Sequence, residues 1–265
     1  LIQPMILNLL PQRESKPREQ GIAMVMDKGL SVREASDMME TAGHLIDFVK
    51  LGFGTALFTQ NVKEKVKIYQ RAGTKVYVGG TLFEAFVVRD QFDDYLSYID
   101  QLGLDAAEVS DGSISMDHGM KCNYISLLAK NRLVLSEVGA KDAAVVYDAA
   151  TWVSEMQAEL AAGSAFVIAE ARESGTVGIY QSSGKADSEL IVEILKSVPS
   201  EKIIWEAPLK SQQVYFIKLL GHAVNLGNIA PSDIIPLETL RAGLRGDTFF
   251  DFLPETFLKH KISIL

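Results

Sequence analysis

Cysteine is nearly absent from this chain: Cys122 is the only one. No intrachain disulfide can form, and a reducing cytoplasm is the expected setting. Cys122 falls in a helical stretch and reads as a small packing residue, and no Cys/His spacing suits zinc. Basic excess is missing too. The net charge is −8 and the isoelectric point about 5.1, which argues against nucleic acid as a partner, because that binding needs clustered basic surface. No apolar run approaches the ~20 residues of a membrane span, so no membrane partner is expected. No linker rich in Pro, Gly or Ser divides the 265 residues, which therefore read as one domain, 1–265. Residues 1–20 read as an N-terminal arm. Leu1–Leu10 is apolar but lacks the basic stretch and small-residue cleavage site of a signal peptide. The four histidines (His44, His118, His222 and His260) are scattered, and none carries a catalytic expectation.

What the chain does have is a beat. Short apolar runs ending in polar residues recur about every thirty positions, with helical patterns between them. The runs are Ile22–Met26, Ile46–Val49, Lys75–Val78, Ala106–Val109, Leu133–Val138, Phe166–Ala169, Ile203–Trp205 and Ala223–Val224. Eight strands alternating with helices predict an α/β fold, a single (β/α)8 TIM barrel, whose usual length of roughly 250 residues suits this chain. The alternative, an open doubly wound sheet, would place a Gly-rich fingerprint after the first strand. The chain reads Met26-Asp27-Lys28-Gly29-Leu30 there, which does not match.

Helix signals fill the gaps. Ser31-Val-Arg-Glu34 is a capping box ahead of the Ala35, Met38, Met39, Ala42 stripe, with Gly43 as the stop. Further helices are expected over 61–72, 84–102, 116–130, 149–162, 188–198, 210–220 and 232–244. The Gly- and Ser-rich stretch 172–185 delays the helix after the sixth strand and is a lid candidate. The tail 249–265 carries Phe249, Phe250, Phe252, Leu253, Phe257 and Leu258, enough apolar surface to cover a barrel end or join subunits. A homo-oligomer is expected.

In a barrel the C-terminal strand ends converge on one mouth, where catalysis is expected. Glu108, Asp111, Glu137 and Glu170 would offer hard oxygen ligands there, suited to Mg2+. Lys28, Lys50, Lys141 and Arg172 would hold an anion, arginine supplying the bidentate fork that phosphate and sulfonate oxygens favour. Gly79 and Gly80 permit close backbone approach to a ligand. Asn225, Gly227 and Asn228 follow the expected eighth strand, where barrels often bind phosphate near a helix N-terminus.

These segments together resemble the phosphosulfolactate synthase family. The resemblance is carried by Asp27-Lys28-Gly29-Leu30, Asp47-Phe-Val-Lys50 with Gly52-Phe-Gly-Thr55, and Gly79-Gly-Thr-Leu-Phe-Glu84. It continues through Glu108-Val-Ser-Asp-Gly112, Ser136-Glu-Val-Gly139, Glu170-Ala-Arg-Glu-Ser-Gly175 and Glu206-Ala-Pro-Leu-Lys-Ser-Gln-Gln213. Val224-Asn-Leu-Gly-Asn-Ile229 and the run from Leu237 to Thr248 complete it. The family implies a (β/α)8 barrel and Mg2+-dependent addition of sulfite to phosphoenolpyruvate, giving (2R)-phospho-3-sulfolactate, a lyase reaction that leads to coenzyme M in methanogens. Plant relatives are linked to heat stress. Two departures stand out: Phe53 replaces the family's usual Trp, and Ala140 precedes a single Lys141 where the family usually has two lysines.

On this resemblance sulfite attacks C3 of phosphoenolpyruvate, charge moves into the carboxylate, and Lys141 protonates C2. Arg172, Lys28 and Lys50 bind the anionic groups. Two other readings stay open: a barrel enzyme adding a different nucleophile to phosphoenolpyruvate, and a non-catalytic stress-associated homologue.

Overall fold

The computed structural model describes residues 7–139, 147–172 and 174–261. Its first half runs β1 (Ala23–Asp27), α1 (Val32–Ala42), β2 (Phe48–Leu51), α2 (Val62–Arg71), β3 (Lys75–Val78), α3 (Gly80–Val87), α4 (Phe92–Leu102), β4 (Ala106–Val109) and α5 (His118–Leu128). The second half runs β5 (Leu133–Val138), α6 (Ala149–Ala162), β6 (Phe166–Ala169), α7 (Ser188–Ser197), β7 (Ile203–Glu206), α8 (Lys210–Leu220), β8 (Leu226–Ile229) and α9 (Ile234–Arg241). The strands pair in parallel in the order β3-β2-β1-β8-β7-β6-β5-β4. β3 and β4 also lie against each other, and side chains stitch their seam. Asp105 Oδ2 accepts from Val76 N at 3.3 Å below, and Glu108 Oε1 accepts from Gly80 N at 2.5 Å above. The eight strands thus form the (β/α)8 barrel that the beat predicts.

Local chemistry accounts for the boundaries. Ser31 and Glu34 form the expected capping box, with Glu34 N donating to Ser31 Oγ at 3.2 Å and Ser31 N to Glu34 Oε2 at 2.8 Å. The segment 84–102, expected as one helix, is two. Asp90 has φ 56° and Gln91 N bonds back to Phe86 O at 3.0 Å, and a left-handed residue cannot continue a right-handed helix. The eighth strand is Leu226–Ile229 rather than 223–224, because Ala223 and Val224 belong to a turn closed by Val224 N on Gly221 O at 3.3 Å. Gly227 and Asn228, both poor strand formers, hide the true strand from a propensity reading.

Side chains alternate between the two faces of each strand. One set, with Val25, Val49, Val76, Ala107, Val134, Val167, Trp205 and Leu226, packs under the helices in the large outer core. Each large aliphatic or aromatic side chain fully buried there contributes roughly 1.5–3 kcal/mol. The other set fills the lumen with Met24, Phe48, Tyr77, Ala106, Leu135, Ile168 and Ile204. Two residues further along each strand the lumen changes character, reading Met26, Lys50, Gly79, Glu108, Glu137, Glu170 and Glu206. An apolar plug therefore supports a charged layer at the C-terminal rim.

The opposite end is closed by the arm. Lys16 Nζ donates to Gly43 O at 3.0 Å and Thr74 Oγ1 at 2.9 Å, and Arg18 pairs with Asp47 at 3.1 Å. Arg241, buried on α9, donates to Val224 O at 2.7 Å and Ile22 O at 3.3 Å. Leu7, Leu9 and Leu10 share a pocket with Phe249, Phe252 and Leu253 of the tail.

Candidate active site

A cavity of about 300 Å³ opens at the C-terminal rim, lined by Met26, Lys50, Glu108, Glu137, Glu170 and Glu206 below and Phe53, Thr81, Ser113, Arg172 and Asn228 around the mouth. The four carboxylates come from β4, β5, β7 and the residue after β6, all in lumen register. Each is at most 2% exposed. Burying ionised carboxylates is costly unless they are paired, and the pairing is visible. Lys50 Nζ lies 3.0 Å from Glu108 Oε1, 3.1 Å from Glu137 Oε2 and 3.4 Å from Glu206 Oε1. Burial works against the Lys50 ammonium, but attraction from Glu108, Glu137 and Glu206 outweighs it and holds the lysine charged well above its usual range. Burial also raises the Glu108 carboxyl. Glu206 is pushed up to about 7 by burial and by repulsion from Glu137 and Glu108, against the pull of Lys50 and the Ala171 N–H.

Backbone donors complete the cage. Ala171 N donates to Glu206 Oε2 at 3.0 Å, and Arg172 N to Glu170 Oε1 at 2.5 Å. One oxygen each from Glu137, Glu170 and Glu206 fall within 4.8 Å of one another. That spacing lets one small hard cation meet all three. Four carboxylates face two cations among the described lining residues, a formal surplus of two negative charges. Three of the mouth residues, Phe53 (φ 55°), Arg172 (φ 54°) and Asn228 (φ 55°), have left-handed backbones. Such conformations cost non-glycine residues free energy and persist where the surroundings impose them.

Glu108, Glu137, Glu170, Lys50, Arg172 and Asn228 all line the cavity. Gly79 lies against Lys50, where a Cβ would sit 3.2 Å from the lysine Cε. Gly80 N is taken by Glu108, and a Cβ there would be 2.2 Å from Ser110 Oγ. Gly227 faces the lumen, with a Cβ 2.7 Å from Met24 Cε. Lys28 stands exposed at the rim with Nζ 5.8 Å from the Phe53 ring centroid. Asp111 is not brought in. It is outside the lumen register and pairs with Lys121 at 2.7 Å. Asn225 precedes β8 rather than following a strand. Its amide accepts from Ile22 N at 3.0 Å and donates to Glu201 O at 3.0 Å, at the far end of the barrel. Lys141 lies outside the described residues.

Glu206 was absent from the expected ligand set, yet the period-2 pattern marks it: Ile204 and Glu206 alternate as Leu135 and Glu137 do. Thr81 and Ser113 carry no such signal. The lid candidate is tied down. Gln212 Nε2 donates to Gly175 O at 2.8 Å and Gly184 O at 3.1 Å, Tyr180 OH donates to Glu206 O at 2.7 Å, and Ile179 N donates to Glu170 O at 3.1 Å. Of its described residues, Arg172 lines the cavity.

Residues 11–247 match the family model for (2R)-phospho-3-sulfolactate synthase. The chain is 42% identical over 246 residues to a phosphosulfolactate synthase of Methanothermobacter thermautotrophicus, covering 91% of this chain and 95% of that one. It is 40% identical over 244 residues to a phosphosulfolactate synthase of Bacillus subtilis, covering 91% and 97%. Among solved structures, 3-hexulose-6-phosphate synthase from Salmonella typhimurium superposes with a TM-score of 0.52 at 16% identity, covering 83% of this chain and 99% of that one, a likeness of fold alone.

Proposed function

The chain belongs to the phosphosulfolactate synthase family, and from that premise we propose that it is a lyase joining sulfite to phosphoenolpyruvate to give (2R)-phospho-3-sulfolactate. The observation that carries the proposal is the convergence of Lys50, Arg172 and four buried carboxylates on one cavity at the C-terminal rim. In the reaction the sulfur lone pair forms the new bond to C3. The C2–C3 π pair moves toward the carboxylate, giving an enolate, and a proton is then delivered to C2. Every reactant is anionic, so the site must concentrate positive charge where negative charge develops.

The described side chains alone leave a negative surplus, and their donor set suits the implied Mg2+. Glu137, Glu170 and Glu206 offer hard oxygens within 4.8 Å of one another, the ligand type Mg2+ prefers. When bound, the ion would supply Lewis-acid stabilisation of the carboxylate oxygens as charge builds on them. Glu108 takes a different part, holding Lys50 and the β3–β4 seam. Lys50, its ammonium surrounded by three carboxylates, acts as the internal counter-ion that holds them in alignment. Arg172 and Lys28, at the mouth, bind the phosphate and sulfonate oxygens. Asn228 borders the same space, with its buried Oδ1 unbonded among the described residues. Lys141 is assigned protonation of C2 by family resemblance.

The test is direct. Protein incubated with phosphoenolpyruvate, sulfite and Mg2+ should yield phosphosulfolactate, followed by 31P NMR and mass spectrometry, and EDTA should stop it. Phosphoenolpyruvate consumed equally well without sulfite would point to another nucleophile. No consumption under any condition would leave a non-catalytic barrel.

A further inference from the structure

We propose that Lys121 is a positioning residue for the reaction: anchored by Asp111 and Glu159, it clamps the main-chain carbonyl of Glu137 and so sets where β5 delivers that carboxylate into the cavity. This rests on the reading of Glu137 as part of the cation-binding set. Strand length is the starting point. β4 pairs with β5 only as far as Val109 opposite Ser136, while β5 runs on to Val138. Along a strand successive carbonyls face opposite neighbours. The Val138 carbonyl meets Glu170 N of the β6 side at 3.0 Å. The Glu137 carbonyl faces the other way, past the last residue of β4, where the ladder has run out of N–H donors.

Lys121 supplies the missing donor. Its Nζ, on α5, lies 2.7 Å from Glu137 O, 2.7 Å from Asp111 Oδ1 and 2.8 Å from Glu159 Oε1. An ammonium has three N–H bonds, and three oxygens meet them. Lys121 and Glu159 are both fully buried. Burial opposes the charge, but Glu159 and Asp111 hold the lysine protonated above its usual range. A neutral hydrogen bond would satisfy the carbonyl at less cost than a buried ion triad, because breaking charges out of water is expensive. The triad does something a lone hydrogen bond would not: it ties the end of β5 to α5, to α6 and to the loop after β4 at once. Gly139, two residues on, has φ 119° and no room for a Cβ, which would sit 2.6 Å from Trp152 Cη2. The chain is thus held on both sides of the Glu137 side chain. A catalytic group misplaced by ~1 Å can cost on the order of 100-fold in rate.

The test uses Lys121→Met with Glu159→Leu, which removes the donor and its buried counter-charge together; Asp111, partly exposed, remains hydrated. We expect a folded protein by circular dichroism, kcat lower by about 100-fold, KM for phosphoenolpyruvate within about threefold, and Mn2+ affinity by electron paramagnetic resonance weaker by about tenfold. Wild-type kcat and Mn2+ affinity in the folded double variant would overturn the proposal. Should that variant fail to fold, Glu159→Gln carries the test. It keeps the shape but drops the anchoring charge, and about tenfold lower kcat at unchanged KM is expected. Wild-type kcat would again overturn it. Wild-type protein that neither binds Mn2+ nor forms phosphosulfolactate would instead refute the functional reading beneath.

Discussion

At the scale of single residues, the two cations in the cavity have different jobs, and mutation should separate them. Lys50 is buried against three carboxylates. Lys50→Met would remove the buried cation that they share, a change that typically costs about 3–5 kcal/mol. Urea unfolding should show the loss even before activity is assayed. Arg172 is exposed at the mouth, so Arg172→Met should melt within about 2 °C of wild type while raising KM for phosphoenolpyruvate at least about tenfold. If both variants lose stability equally, Arg172 is not the substrate-facing group. A second residue-scale case is Gly178. Its φ is 63° and a Cβ would sit only 1.9 Å from the Glu170 carbonyl oxygen. Backbone cannot yield as a flexible side chain can, so Gly178→Ala should cost on the order of 2–3 kcal/mol by chemical denaturation and displace Glu170.

At the scale of elements, the barrel was legible because strand and helix periods differ and the chain keeps them apart, as in Leu133–Val138 against Ala149–Ala162. What was not legible is instructive. The eighth strand was misplaced because Ala223-Val224 looks more like a strand than Leu-Gly-Asn-Ile does, and only pairing to β1 and β7 reveals the register. Asn225 was assigned to the wrong rim as a consequence. Asp111 was grouped with the carboxylates because composition cannot tell a lumen-facing residue from its neighbour, whereas parity along β4 can. The 172–185 stretch looked free because its glycines suggest mobility. Its anchor, Gln212, sits on α8 and makes contacts no local pattern announces. Gln212→Ala should cost roughly 1–2 kcal/mol and speed amide hydrogen exchange across 174–185 by mass spectrometry. Unchanged exchange there would mean that the segment is held without this anchor.

At the scale of the whole molecule, an acidic chain places four carboxylates in one pocket and, among the described lining residues, offers Lys50 and Arg172 against them. Without a divalent ion, Glu206 relieves the repulsion by taking a proton, since its carboxyl is held near 7 in the fold against about 4.3 in an unfolded chain. The protonated form is therefore the one the fold favours. Its contribution to stability is complete below about pH 4.3 and is lost as pH rises through 7, on the order of 3 kcal/mol in all. Protein in EDTA should accordingly lose melting temperature between about pH 5 and pH 8, and Glu206→Gln should flatten that slope. Mg2+ acts in the opposite direction. It binds ionised carboxylates, and at 100 times its dissociation constant it would add about 2.7 kcal/mol, so its stabilisation should grow with pH over the same window. Differential scanning calorimetry at several pH values, with and without Mg2+, measures both slopes on one protein. A Mg2+ shift that is absent at pH 8, or that survives intact in Glu137→Gln, would remove the ion from the Glu137, Glu170 and Glu206 cluster.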